Sequence, residues 1–168
     1  MGQQQLLLVI LVTILVGVAT VVAINVFGSS AENANRDAVR QDMLSIATAA
    51  QGWYIKPTML AGGGNDFTNI TFSNINFASN AVNETGDYAI NNNGTYQITT
   101  PTKDNFLVRA YPSSESDYNS TLPVIGVDGS ITTEATFNTT TRYLEVKVLK
   151  NSVLWTKSSI NTTTTPAP

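Results

Sequence analysis

The chain reads as an α+β protein, with one long N-terminal α-helix, apolar in its first half and amphipathic in its second, and a C-terminal antiparallel β-sheet head. Three observations predict this. Leu6 to Phe27 are 22 positions without a charged side chain. From Ser29 to Tyr54 apolar residues recur at helical spacing, with no proline before Pro57. Beyond residue 87, short alternating apolar stretches are separated by Asn-Gly, Asp-Gly and Asn-Ser turns.

Residues 1–28 form the apolar part of the helix. A segment apolar on every face must be covered on every face, by lipid or by other helices. About 20 apolar helical residues cross a bilayer's hydrocarbon, so this run is long enough to span a membrane. A cleaved secretory signal fits poorly, because Met1 to Gln5 carries no basic side chain and the run exceeds the usual apolar core. N-myristoylation fits poorly too, since Leu6 stands where Ser or Thr is required. The expected packing surface comprises Leu6, Leu7, Leu8, Val9, Ile10, Leu11, Val12, Ile14, Leu15, Val16, Val18, Val21, Val22, Ile24 and Phe27. Thr13, Gly17 and Thr20 belong to it and share one face, where small and hydroxyl-bearing residues let neighbouring helices approach closely.

Residues 29–56 continue the helix with Val39, Met43, Ile46, Ala47, Ala50 and Trp53 or Tyr54 in a stripe expected to pack on a folded domain. The opposite face is expected to carry Glu32, Arg36, Asp37, Arg40 and Asp42. This mixed-sign belt reads either as a solvated face or as an intersubunit belt that meets complementary charges on neighbouring copies. An unbroken helix from about residue 3 to 54 would be roughly 78 Å long, more than one small domain can cover. Its first half needs lipid or copies of itself. A helix repeated by rotation with translation gives an open filament.

Residues 57–87 read as a connecting loop, opened by Pro57 and the Gly62-Gly63-Gly64-Asn65-Asp66 break. The β head is expected over residues 88–160. Its strand signals are Tyr88 to Asn91 and Thr95 to Thr100 around Asn93-Gly94, Asn105 to Tyr111, and Leu122 to Val127 with Ser130 to Thr133 around Asp128-Gly129. Residues Arg142 to Lys150 alternate, with Leu144, Val146 and Val148 on the side expected to face the helix stripe; Asn151-Ser152 then turns into Val153 to Thr156. Residues 161–168 form a Thr/Pro-rich tail read as extended.

Composition narrows the function. Histidine and cysteine are absent, which removes the usual general base, thiol nucleophile, zinc site and disulfide framework. No enzyme is expected, and no catalytic, cofactor-binding or metal-ligating residues are assigned. Glu115 and Asp117 flank Ser116, and Asp66, Asp87, Asp104 and Asp128 lie near predicted turns, where acidic residues serve the backbone. No spacing matches an EF-hand loop. Nine basic side chains against twelve acidic ones, without a basic cluster, give no surface for a row of phosphates, so no nucleic acid is expected as a partner. Only 12% of residues are charged, and beyond residue 60 the chain is rich in Asn, Thr and Ser, as exported surfaces often are. Six Asn-x-Thr triplets begin at Asn69, Asn83, Asn93, Asn119, Asn138 and Asn161, all candidate N-glycosylation acceptors; the alternative is a Thr-rich strand surface.

The long helix, apolar at first and then continuing as Ala34-Asn35-Arg36-Asp37-Ala38-Val39-Arg40 to Gln51-Gly52-Trp53-Tyr54, resembles the N-terminal helix of type IV pilins and pseudopilins. The resemblance covers about a third of the chain. Arg36 and Arg40 with acidic neighbours, and the closing pair Trp53 and Tyr54, sit where that family has its basic stretch and aromatic pair. It implies a pilin-like lollipop, a dedicated pilus assembly machinery, and a prepilin peptidase for which Gly2 would be the cut site and Gln3 the first mature residue. The chain departs from the family pattern in having no carboxylate before Glu32. A docking role near the N-terminus could fall only to the neutral Gln3, Gln4 or Gln5.

The expected function is a structural subunit of an extracellular, cell-surface filament for adhesion or motility. Its partners would be other copies of itself, with a membrane-inserted pool before assembly. A pseudopilin or minor pilin of a secretion or DNA-uptake machine is the nearest alternative. A monomeric membrane-anchored binding module is the alternative from another class.

Overall fold

The computed structural model describes residues 2–115, 118 and 142–157. The protein is α+β. One helix, α1, runs Gly2–Ile55, and six strands follow: β1 Ala81–Val82, β2 Tyr88–Ile90, β3 Gly94–Thr99, β4 Asn105–Pro112, β5 Leu144–Leu149 and β6 Val153–Lys157. Every pairing is antiparallel and the strand order is the chain order, a meander. The chain divides into two compact units, Met1–Ala34 and Asn35–Pro168.

In the first unit the helix forms because nothing opposes it: Leu, Val, Ile and Ala dominate, and no proline interrupts the backbone bonds from one turn to the next. Thr13 and Thr20 do not disturb it, because their hydroxyls donate back to the Ile10 and Val16 carbonyls at 2.8 Å. Satisfied internally, they suit a surface with no water.

The second unit is built on the stripe of α1. Val39, Met43, Ile46, Ala47, Ala50, Trp53 and Tyr54 are the buried residues of the helix. They meet the inner face of the sheet, whose registers align one apolar row as Ala89, Tyr96, Ala110 and Leu144 and a second as Ile98, Val108 and Val146. Strand β5 shows the cause most plainly. Its sequence alternates Leu, Glu, Val, Lys, Val, Leu, and Leu144, Val146 and Val148 are fully buried.

The helix ends where Pro57 removes the next donor. Two of its last carbonyls, and that of the next residue, are then met by the glycine-rich segment: the N–H groups of Gly63 and Asn65 donate to Trp53 and Tyr54, and that of Gly64 to Lys56. Gly63 is required here, since a Cβ would lie 2.6 Å from the Trp53 ring. The segment read from sequence as a connecting loop also carries core. Phe67, Ile70, Phe72 and Ile75 are buried, and the rings of Tyr54, Phe67 and Phe106 are linked at 4.4 and 5.1 Å. The short strand β1 lies in the same segment and was not expected.

The β2–β3 hairpin occurs as expected, but its turn works differently. Asn91 closes it with its side chain, whose oxygen accepts from the N–H groups of Asn93 and Gly94 at 2.9 and 3.2 Å. Gly94 is already the first residue of β3. It has to be glycine because a Cβ would stand 2.3 Å from the Tyr111 carbonyl oxygen on β4. The expected strands at Leu122 to Val127 and Ser130 to Thr133 lie outside the described residues.

Candidate functional site

The residues expected to form an assembly surface, Leu6 through Phe27, are all exposed within the chain. Every large apolar side chain among them is between 47% and 74% exposed, on all sides of the helix. By length and composition α1 can cross a membrane, and it is the single such helix among the described residues. Gly2 and Gln3 are helical and exposed.

The charged set over residues 32–42 is divided by the structure. Asp37 and Arg40 pair with each other at 2.5 Å, one turn apart, with Asp37 exposed. Glu32 is exposed in the first unit. Arg36 instead turns to the segment that follows β4, and Asp42 to the β2–β3 hairpin. The Arg36 guanidinium donates to Glu115 at 2.8 Å, and Arg142 reaches the other oxygen of that carboxylate at 3.4 Å. Glu115 is a buried charge held between two cations.

Asp42 is the centre of a second polar cluster. One of its oxygens accepts from the Tyr96 hydroxyl at 2.6 Å and from the side-chain amides of Asn91 and Asn93 at 2.8 Å each. Burial pushes the Tyr96 phenol far above its ordinary pKa, and the hydrogen bond to Asp42 pushes it further, so it remains a donor at any physiological pH. Asn35, two turns before Asp42, donates to the Asn93 carbonyl at 3.0 Å and accepts from the Ser114 hydroxyl at 2.9 Å. At the other end of the stripe Gln51 donates to the Leu149 carbonyl at 2.9 Å. Apolar packing alone leaves a helix free to slide or roll on a sheet. These polar contacts set its register.

Sequence reading missed this clamp. Asn35 and Asp42 stand two turns apart on one flank of the helix, which was a readable signal, but their partners are roughly fifty or more positions away in the chain. Replacing Asp42 by Ala leaves the Tyr96 hydroxyl and two amides without their acceptor. We expect a loss of about 2–3 kcal/mol of stability, measured by urea unfolding of the full chain in detergent micelles and followed by tryptophan fluorescence. A change below about 0.5 kcal/mol would refute the clamp.

The six Asn-x-Thr sites also separate. Asn69 is exposed. Asn83 holds the β1–β2 turn, donating to its own Thr85 at 2.6 Å and accepting from the Tyr88 N–H at 2.9 Å. The Asn93 amide is engaged by Asp42, so a sugar there would intrude on the junction of helix and sheet. Asn119, Asn138 and Asn161 lie outside the described residues, as do Ser116, Asp117 and Asp128.

The outer face of the sheet carries a row in register across five strands: Tyr88, Gln97, Arg109, Glu145 and Lys157. Arg109 pairs with Glu145 at 2.7 Å, and this bond holds the guanidinium pKa above its ordinary value. The Lys157 ammonium lies 3.8 Å from the centre of the Tyr143 ring. Arg109 and Glu145 neutralise each other, and Lys157 keeps its charge over the Tyr143 ring. Among the described residues no three His, Cys, Asp or Glu side chains gather where a metal ion could be held.

Comparison of the chain with models of known protein families, with curated proteins and with solved structures finds no match in any of the three.

Proposed function

We propose that the chain is a structural subunit of an extracellular filament of the type IV pilin-like class, assembled through bundled N-terminal helices. One observation carries this reading: the helix has two halves with different needs. The stripe from Val39 to Tyr54 is covered by the chain's own sheet, whereas sixteen large apolar side chains from Leu6 to Phe27 are left exposed by the described residues. Leaving them in water would cost on the order of tens of kcal/mol, more than the stability of a typical domain. Lipid is one cover and serves before assembly. Other copies of the same helix are the second. Exchanging lipid for helix packing is a modest step in free energy, because both environments are dry. The closing pair Trp53 and Tyr54, both buried, and the basic positions Arg36 and Arg40 add to the likeness with pilin helices.

The test is fractionation of native cells after shearing. On this reading most of the chain leaves the cell surface in high-mass material that sediments without detergent. Recovery of the chain solely from the membrane fraction, soluble as a monomer in detergent, would contradict it.

A further inference from the structure

We propose that Asn93–Gly94 is a site of spontaneous covalent modification in the head, deamidation through a succinimide, which the contacts around Asp42 hold in check and whose product would open those contacts for good. Of the eleven glycines in the chain one follows an asparagine, and it is Gly94. That dipeptide is the one most prone to ring closure, because glycine has no side chain to hinder approach to its nitrogen. The Gly94 nitrogen loses its proton to solvent base and attacks Cγ of Asn93. A C–N bond forms, the bond from Cγ to Nδ2 breaks, and ammonia leaves. Water then opens the cyclic imide at either carbonyl, which leaves aspartate or isoaspartate at position 93. Water is the sole co-reactant.

Closure needs a free Gly94 nitrogen and an Asn93 side chain able to swing onto it. The fold occupies both. The Gly94 N–H donates to Asn91 Oδ1 at 3.2 Å, and Gly94 itself is buried in β3, too close to the Tyr111 carbonyl for any Cβ. The Asn93 amide nitrogen, which would be the leaving group, donates to the Asp42 carboxylate at 2.8 Å. The backbone is pinned as well: the Asn93 N–H donates to Asn91 Oδ1 at 2.9 Å, and the Asn93 carbonyl accepts from the Asn35 amide at 3.0 Å and from the Ser113 N–H at 2.9 Å. Asn91 is in turn held by Asp42, to which its own amide donates at 2.8 Å. One carboxylate on the helix therefore fixes both the side chain that would react and the side chain that guards the nitrogen. The reaction has to wait for a local opening at this point, and its rate follows how often that opening occurs.

The product does not fit the site it came from. Aspartate at position 93 has lost the donor and sets a second carboxylate within hydrogen-bond distance of Asp42, where like charges repel. Isoaspartate also adds a methylene to the backbone beside Gly94, where there is no room even for a Cβ. Either change removes the contact that kept the site shut, so a rare opening becomes a permanent one.

The experiment incubates the full chain in detergent micelles in mildly alkaline buffer and follows position 93 by peptide mass spectrometry. Four samples are compared: the unaltered chain folded, the unaltered chain in urea, Asp42→Ala, and Val148→Ala, which opens a cavity in the core on β5, away from the clamp. The folded chain should react at least about a hundredfold more slowly than the chain in urea, Asp42→Ala at least about tenfold faster than the folded chain, and Val148→Ala within about twofold of it. If Asp42→Ala does not fold, Asp42→Asn, which keeps an acceptor and gives up its charge, should still react about threefold faster than the unaltered chain. Equal rates with and without urea, no acceleration on replacing Asp42, or an equal acceleration in Val148→Ala would each overturn the shield. Asn93→Asp, the product made by substitution, should unfold at a lower urea concentration than the unaltered chain; an unchanged midpoint would overturn the claim that the product opens the contacts.

Discussion

Replacing Leu15 by Arg is expected to lower the yield of filaments at least about a hundredfold while leaving the head folded. Leu15 lies in the middle of the uncharged run and is 67% exposed within the chain. A guanidinium at the centre of a membrane span costs about 2.5–3.5 kcal/mol for insertion. Buried without a partner among packed helices it costs several kcal/mol more. No acidic side chain precedes Glu32, so a copy of the same helix offers no counter-charge nearby. Leu15 belongs to the first compact unit, and the buried stripe that begins at Val39 belongs to the second, so the head should keep its fold. Leu15→Met, which keeps volume and apolarity, should assemble close to normal. Filament yield is read from sheared material and head folding from tryptophan fluorescence. Normal yield from Leu15→Arg would mean that this surface is not the assembled one.

Phe106→Ala is expected to cost about 3–5 kcal/mol of stability, the range for removing a buried aromatic ring. Phe106 is fully buried and joins three parts of the second unit. It sits on β4 opposite Val148 of β5, its ring lies 5.1 Å from Phe67 of the preceding segment, and Phe67 in turn lies 4.4 Å from Tyr54 at the end of the helix. Deleting it opens a cavity where sheet, loop and helix meet. Unfolding of the full chain in micelles should shift its urea midpoint down by roughly 2 M. A loss under about 1 kcal/mol would mean that the three parts are not packed as one core.

The parts legible in the sequence were those whose signal is local. The uncharged run, the helical stripe and the alternation of β5 each repeat within a few residues, so the helix emerged with bounds within one residue of Gly2–Ile55, and the β2–β3 and β5–β6 hairpins appeared where turns were expected, while β1 and its hairpin with β2 did not. Signals without a period were missed. Phe67, Ile70, Phe72 and Ile75 follow one another at irregular intervals in a stretch rich in Asn and Thr, and their burial depends on what the helix end and β4 provide. The charged positions on the helix illustrate a second limit. They were expected opposite the apolar stripe, but Arg36 stands three and seven positions before Val39 and Met43, on the stripe's own face, Asp42 stands on its flank, and their partners Glu115 and Tyr96 lie 79 and 54 positions away in the chain. Long-range polar partners leave no periodic trace. Gly94 was the right residue for another reason: a turn signal marked it, while the structure needs it for the close approach of Tyr111.

Cryo-electron microscopy of material sheared from the cell surface tests the central claim most directly. The account predicts a fibre whose side-chain density fits this sequence, with Leu6 to Phe27 of many copies packed around the axis and the sheets outside. A fibre of this chain with those residues facing solvent, or a chain confined to the membrane fraction as a monomer, would contradict it.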